Sequence, residues 1–247
     1  MALREQFPET SWTLLASARQ QCEDGVRARE DFAQRYYRPV REFLVVLLRD
    51  AERAQDLAQE FFARIGRPGG LLERADPEKG TFRDYLQEAL RNLVIDYHRR
   101  NREEALHTHP DQASTGGWDF IGVAEFPAAE AAFHLAWVKV TLAEALTRVR
   151  AVCCKRKQQV HLDLFEARYL SEAGRAPSWK ELGAPYGMDQ KTAREHADTV
   201  VRHFRLVLRR MLANEIAVPS DGGRRGSRVP EAAIDEEINR LLSPLQD

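Results

Sequence analysis

The strongest constraint in this sequence is a helical spacing of apolar residues that recurs along most of its length. Between residues 81 and 102, for example, one set recurs at three- and four-residue steps: Phe82, Leu86, Leu90, Leu93 and Tyr97. Residues spaced in this way share one face of an α-helix. No stretch alternates apolar and polar residues for long enough to indicate a β-strand. The sequence therefore predicts an all-α fold.

Two stretches rich in glycine, proline and small polar residues divide this pattern. We expect a helical domain over residues 1–102, a flexible linker over 103–127, a second helical domain over 128–217, and a tether with a short C-terminal helix over 218–247. The tail helix, residues 234–242, carries an apolar stripe that has no core of its own. We hypothesise that this tail folds back on a binding face and restrains activity.

Composition and charge narrow the class of protein. The net charge is −1, so any evidence for nucleic-acid binding must come from local clusters. The longest apolar run, residues 43–48, is far shorter than the roughly 20 residues of a membrane span. The first residues lack the apolar core of a secretion signal. We therefore expect a cytoplasmic protein that makes no membrane contact.

Residues 178–211 have the organisation of a helix-turn-helix. Ser178 and Glu181 fit a capping box, and Asp189 is a good N-cap for a second helix. Gly187 supplies the turn between them, whereas Pro185 should end the first helix early by biasing the residue before it away from helix. The exposed face of the second helix carries Lys191, Arg194, Glu195, Arg202 and Arg205. These side chains suit base edges and phosphates in a major groove, although any solvated helix face can look the same.

Two earlier helices carry contrasting polar faces. Along residues 81–102, beside the apolar stripe, lie an aromatic ring, an amide and a run of arginines, which suit unpaired nucleic acid: Tyr85, Asn92, Asp96, Arg99, Arg100 and Arg102. The preceding helix is acidic and amide-rich, with Gln55, Asp56, Gln59 and Glu60 opposite Leu57, Phe61 and Ile65. We interpret the first face as a nucleic-acid site and the second as a protein site. A solvated surface explains either face equally simply.

Four stretches in this order and spacing resemble the sigma factors of bacterial RNA polymerase, specifically the short extracytoplasmic-function (ECF) type. They are residues 32–40, 54–62, 80–86 and 90–100, and together they look like the family's region 2. The second helical block looks like region 4. The opening residues 7–15 and the ending residues 234–242 also resemble a subgroup with a short C-terminal extension. The region-4 half departs further from the family pattern, with Pro185 where a helix usually continues.

The resemblance implies roles for individual residues. It implies that one helix docks on the β′ clamp helices of core polymerase, through Gln55, Asp56, Gln59, Glu60 and Arg64. It implies that the next helix recognises and helps melt the −10 promoter element, through Tyr85, Asn92, Asp96, Arg99, Arg100 and Arg102. It further implies that the helix-turn-helix reads the −35 element while its other face holds the β flap. The −35 positions are Gln190, Lys191, Arg194, Glu195 and Arg202.

No enzymatic function is expected. The glycine-rich residues 66–70 lack the lysine and serine of a phosphate-binding loop, and no nucleophile or paired carboxylate has a convergent partner. His107 and His109 with Cys153 and Cys154 lack zinc-site spacing, so we expect neither metal nor cofactor. The partners we expect are core RNA polymerase and promoter DNA, with an anti-sigma protein or the tail as a candidate restraint. The alternative is a stand-alone helix-turn-helix regulator, which would be expected to dimerise on a palindrome.

Overall fold

The computed structural model describes residues 17, 18, 20, 22–65, 82–108, 125–171, 177–216, 236 and 238. Within these residues the secondary structure is helical and contains no strand, which confirms the all-α prediction. The described residues up to Val140 form one compact unit, and those from Thr141 to Ala213 form a second. The described residues contain no helix that is long and apolar enough to cross a membrane.

Two helices of the first unit are joined by a short capped turn. Helix α1 spans Glu23–Leu48 and helix α2 spans Ala51–Ile65. Arg49 ends α1 in the left-handed conformation, with φ 51°, and its N–H donates to the Val45 carbonyl. Asp50 then begins α2, because its carboxylate accepts from the N–H groups of Glu52 and Arg53 at 3.0 and 3.1 Å. A carboxylate in this position satisfies donors that have no partner within the helix.

Helix α3, Phe82–Thr108, completes an aromatic core with α1. Phe82 lies edge-on to Phe32 and Tyr36, with ring centroids 5.6 and 5.4 Å apart, and all three rings are buried. Leu86, Leu90 and Leu93 are buried on the same face, as their spacing predicts. The helix continues to Thr108, six residues into the segment that composition assigned to the linker. Residues 103–106 are good helix formers, and the helix-breaking proline comes only at position 110.

The first half of helix α4, Phe126–Lys155, belongs to the first unit rather than to the second. Trp137 is fully buried, and the Arg83 guanidinium of α3 lies 4.0 Å from the centre of its ring. Arg91 of α3 forms an ion pair with Glu130 and also lies over the Phe126 ring. The division between the units therefore falls after Val140, whereas the sequence placed the start of the second domain at residue 128.

The second unit contains the rest of α4, helix α5 over Gln159–Tyr169, helix α6 over Trp179–Gly183 and, up to Ala213, helix α7, which spans Gln190–Ile216. Its core joins apolar residues from α4, α5 and α7: Val149, Cys153, Leu162, Leu164, Phe165, Ala193, Ala197 and Val200. Cys153 is buried and Cys154 is exposed, and burial raises the pKa of the Cys153 thiol. That shift makes the thiolate scarce, so Cys153 acts as a small core residue.

The hypothesis about the C-terminal tail falls almost entirely outside the described residues. Two tail positions are described, the exposed Glu236 and the buried Ile238. Both are helical, and Ile238 is grouped with the second unit. The restraint of activity by this tail stays a hypothesis.

Candidate nucleic-acid interface

Helix α3 presents a largely polar face beside its buried apolar stripe. Asn92, Asp96 and Arg99 are exposed, and Tyr85 lies half-buried two turns earlier on the same side. Asp96 and Arg99 form an ion pair at 3.2 Å across one helical turn. Arg100 and Arg102 are also exposed, on adjoining sides of the helix. Tyr85, Asn92, Asp96 and Arg99 therefore share one side of the helix, whereas Arg100 is turned toward α2.

Ile95 is a residue of this face that the sequence analysis missed. Its side chain is 55% exposed. It lies three residues after Asn92 and directly before Asp96, among the polar residues of this face. An apolar side chain among polar ones can contact a base or a thymine methyl group, which polar neighbours cannot do as well. The sequence could have indicated this residue, because Ile95 falls outside the apolar stripe that repeats with the helical period of about 3.6 residues.

The outward face of α2 carries the five residues assigned to polymerase binding. Gln55, Asp56 and Gln59 are exposed, and Glu60 and Arg64 are half-buried. Glu60 and Arg64 form an ion pair one turn apart. On the opposite side, Leu57, Phe61 and Ile65 are buried in the core of the first unit. The apolar side of the helix therefore packs in the core, and the polar side is exposed except at Glu60 and Arg64, which are half-buried.

The acidic face of α2 and the basic face of α3 are in contact, which the sequence did not predict. The Arg100 guanidinium lies 3.4 Å from the Glu60 carboxylate, on the same oxygen that pairs with Arg64. The Nε of Arg100 also donates weakly, at 3.4 Å, to the Asp96 carbonyl of its own helix. One carboxylate therefore joins a residue assigned to polymerase binding with a residue assigned to DNA binding.

The helix-turn-helix forms as the sequence predicts from its caps. The Ser178 hydroxyl accepts from the Glu181 N–H at 3.3 Å, and the Glu181 carboxylate accepts from the Ser178 N–H at 2.7 Å. Gly187 adopts a positive φ of 65°, which glycine tolerates without strain. Asp189 then begins α7, because its carboxylate accepts from the Thr192 N–H at 2.8 Å.

The turn between the two helices is tighter than the sequence indicates. Helix α6 ends at Gly183, and a 3-10 turn over Ala184–Tyr186 follows it. Pro185 does shorten the α-helix, but Ala184 keeps a helical backbone, which corrects the expectation for that residue. Pro185 lies in the first turn of the 3-10 segment, a position in which proline is tolerated. A Cβ at Gly183 would lie 2.7 Å from the Met188 carbonyl, so the close approach requires glycine.

All five residues assigned to the −35 site are exposed on α7: Gln190, Lys191, Arg194, Glu195 and Arg202. The first four lie in the opening turns of the helix, where a recognition helix contacts base edges. Lys191 and Glu195 are 3.9 Å apart, and Arg194 lies 3.8 Å from Asp198. Pairs this long and exposed hold their cations weakly. Asp198, which the sequence analysis did not single out, adds a second carboxylate to the face.

Three histidines lie between α5 and α7 in the second unit. The His161 and His196 rings are stacked, with centroids 4.0 Å apart and planes 2° from parallel. The His203 ring is hydrogen-bonded to Gln158 at 3.1 Å. Burial, together with His196 and His203, lowers the pKa of His161. Burial, Arg156 and Arg202 lower the pKa of His203.

We expect these histidines to destabilise the protein in mild acid. A depressed pKa in the folded state means that the unfolded chain takes up the proton more readily, so stability holds above the ordinary histidine pKa of 6.5 and falls below it. The urea midpoint should therefore fall between about pH 7.5 and pH 5.5. The double variant His161→Gln, His203→Gln should lose part of that dependence. An unchanged pH profile in the double variant would contradict the assignment.

The described part of the chain gives no evidence for a metal centre. No group of three or more histidine, cysteine or carboxylate side chains there could hold an ion. The His107 side chain and all of His109 lie outside the described residues.

Comparison with known proteins gives a family match for one segment of the chain. Residues 32–104 match the family model described as Sigma-70 region 2. The match covers less than a third of the 247 residues. It takes in most of α1, all of α2 and most of α3, with the polar faces of both α2 and α3. No curated protein and no solved structure matches the chain.

Proposed function

We propose that this protein is a sigma factor that joins core RNA polymerase and directs it to a set of promoters. The observation that carries the proposal is the match to sigma-70 region 2, because the matched residues contain both exposed polar faces of the first unit. A helix-turn-helix in the same chain adds a second surface suited to duplex DNA. Two weak DNA contacts on one polymerase gain effective concentration, which suits a near-neutral chain.

Within this proposal each exposed face has one partner. Helix α2 docks on the β′ clamp helices, α3 captures the unpaired strand of the −10 element, and α7 contacts the −35 duplex. The β flap is held by another face of the second unit, and we propose Tyr169 and Leu170, which are 52% and 46% exposed at the end of α5, as its contacts. The protein belongs, on this proposal, to the ECF type with a C-terminal extension. It performs no chemistry itself and acts in the cytoplasm.

Reversing the charge of Asp56 tests the polymerase face. Asp56→Arg should weaken binding to core polymerase by about tenfold or more, because a like charge placed in an electrostatically matched interface is costly. Co-elution from gel filtration, followed by a fluorescence titration, measures the loss. Asp31→Arg, an exposed reversal on α1, is the matched control and should bind as the parent does. Equal losses in both variants would remove α2 from the interface.

Removing one cation from α7 tests the −35 assignment. Arg194→Ala should lower transcription by about tenfold from promoters that need a −35 element, since one bidentate base contact is worth about 1–3 kcal/mol. Promoters that do not need the element should be unaffected, and so should core binding. Lys139→Ala, an exposed cation of the first unit, serves as the control. If Arg194→Ala lost core binding instead, the face would contact polymerase rather than DNA.

A further inference from the structure

We propose that Glu60 is a positioning residue that withholds Arg100 from DNA until polymerase binds. The inference rests on the proposed function and adds to it a link between its two binding events. It starts from the ion pair that joins α2 to α3, in which the Arg100 guanidinium lies 3.4 Å from the Glu60 carboxylate.

The pair occupies groups that both partners need. Glu60 belongs to the face assigned to polymerase, and Arg100 belongs to the face assigned to the unpaired DNA strand. An arginine that is paired with a carboxylate must break that pair before it can bind a phosphate. In the free protein, strand binding through Arg100 therefore includes the loss of its contact with Glu60.

Polymerase docking provides a reason for release. Glu60 lies beside Gln59 and one turn from Asp56, both exposed on the outward face of α2. The same Glu60 oxygen also pairs with Arg64 of that face. A partner that covers this face and engages Glu60 or Arg64 redistributes the contacts of that one oxygen. Arg100, which remains 45% exposed, is then available to a phosphate of the captured strand.

The size of the effect follows from the exposure of the pair. Both side chains are more than a third exposed, at 45% for Arg100 and 37% for Glu60. Pairs of this kind are worth up to about 1 kcal/mol, which corresponds to about fivefold in a binding constant. The ion pair therefore favours polymerase binding before DNA binding, but it does not block DNA binding completely.

A double-mutant cycle on the full-length protein tests the pair. Glu60→Gln, Arg100→Gln and the double variant are titrated with a fluorescent single-stranded oligonucleotide that carries the non-template −10 sequence. Glu60→Gln should tighten binding two- to fivefold, and Arg100→Gln should cost more in the Glu60→Gln background than in the parent. Glu52→Gln removes an exposed carboxylate from the same helix and controls for net charge. Equal costs of Arg100→Gln in both backgrounds would overturn the proposal.

The same cycle in the presence of saturating core polymerase tests the release. Arg100→Gln should then cost the same in the parent as in the Glu60→Gln background, because polymerase has already separated the pair. Coupling that persists in the complex would overturn the release. If neither the free nor the core-bound protein binds the oligonucleotide, the proposed function itself fails. Binding without coupling removes only the role of Glu60.

Discussion

Replacing Trp137 with alanine should unfold much of the first unit, although the residue lies outside the segment that resembles region 2. Truncating a fully buried tryptophan costs about 3–5 kcal/mol, a large part of the stability of a typical domain. The variant also removes the ring beneath Arg83 and the packing of α4 against α3. The urea midpoint followed by circular dichroism should fall sharply, and amide exchange along α3 should accelerate.

Two further variants separate packing from other effects of the Trp137 substitution. Trp137→Phe keeps a ring and removes an indole N–H that is buried with no acceptor among the described residues, so it should be far milder than alanine. Leu135→Ala, two residues away and 48% exposed, should change stability little. If Trp137→Ala left exchange in α1, α2 and α3 unchanged, the first half of α4 would not belong to the first unit.

Replacing Arg99, Arg100 and Arg102 together with glutamine should nearly abolish capture of the −10 strand. Each phosphate contact on single-stranded DNA adds about 0.7 to the slope of log affinity against log salt, so the slope should fall by about 2. At moderate salt that change amounts to a loss of about 100-fold in affinity. Fluorescence titrations of the non-template oligonucleotide over a series of salt concentrations measure both quantities.

The matched control removes the same charge from another part of the first unit. Arg27, Arg38 and Arg53 are exposed on α1 and α2, and their triple glutamine variant has the same net charge. Its salt slope should stay near that of the parent protein. Identical slopes for the two triple variants would show that net charge, and not the face of α3, governs binding. The assignment of that face would then be lost.

The features that the sequence predicts well are those set by residues close together in the chain. The capping box of Ser178 and Glu181 spans three residues, and the buried stripe of α3 repeats within each turn. Both depend on helix geometry that every segment shares. The polar faces of α2, α3 and α7 follow from the same periodicity, so all sixteen assigned site residues lie exposed or half-buried.

The features that the sequence does not predict depend on contacts between distant residues. Arg91 and Glu130 are 39 positions apart, and Glu60 and Arg100 are 40 apart. The local spacing of residues does not distinguish these paired side chains from solvated surface charges. For the same reason, local composition could not show that Glu130 and Trp137 contact α3. Ala184 is the reverse case. Proline disfavours a helical backbone in the residue before it, yet Ala184 is helical in the folded turn.

Run-off transcription with purified core polymerase tests the central proposal most directly. Genomic promoter fragments are transcribed with core alone, and with core and this protein. We expect transcripts with discrete starts only when the protein is present, and their upstream sequences should share a −10 and a −35 element. Transcription that is unchanged by the protein, together with no binding to core, would contradict the account, and the helix-turn-helix would then belong to a regulator that acts without polymerase.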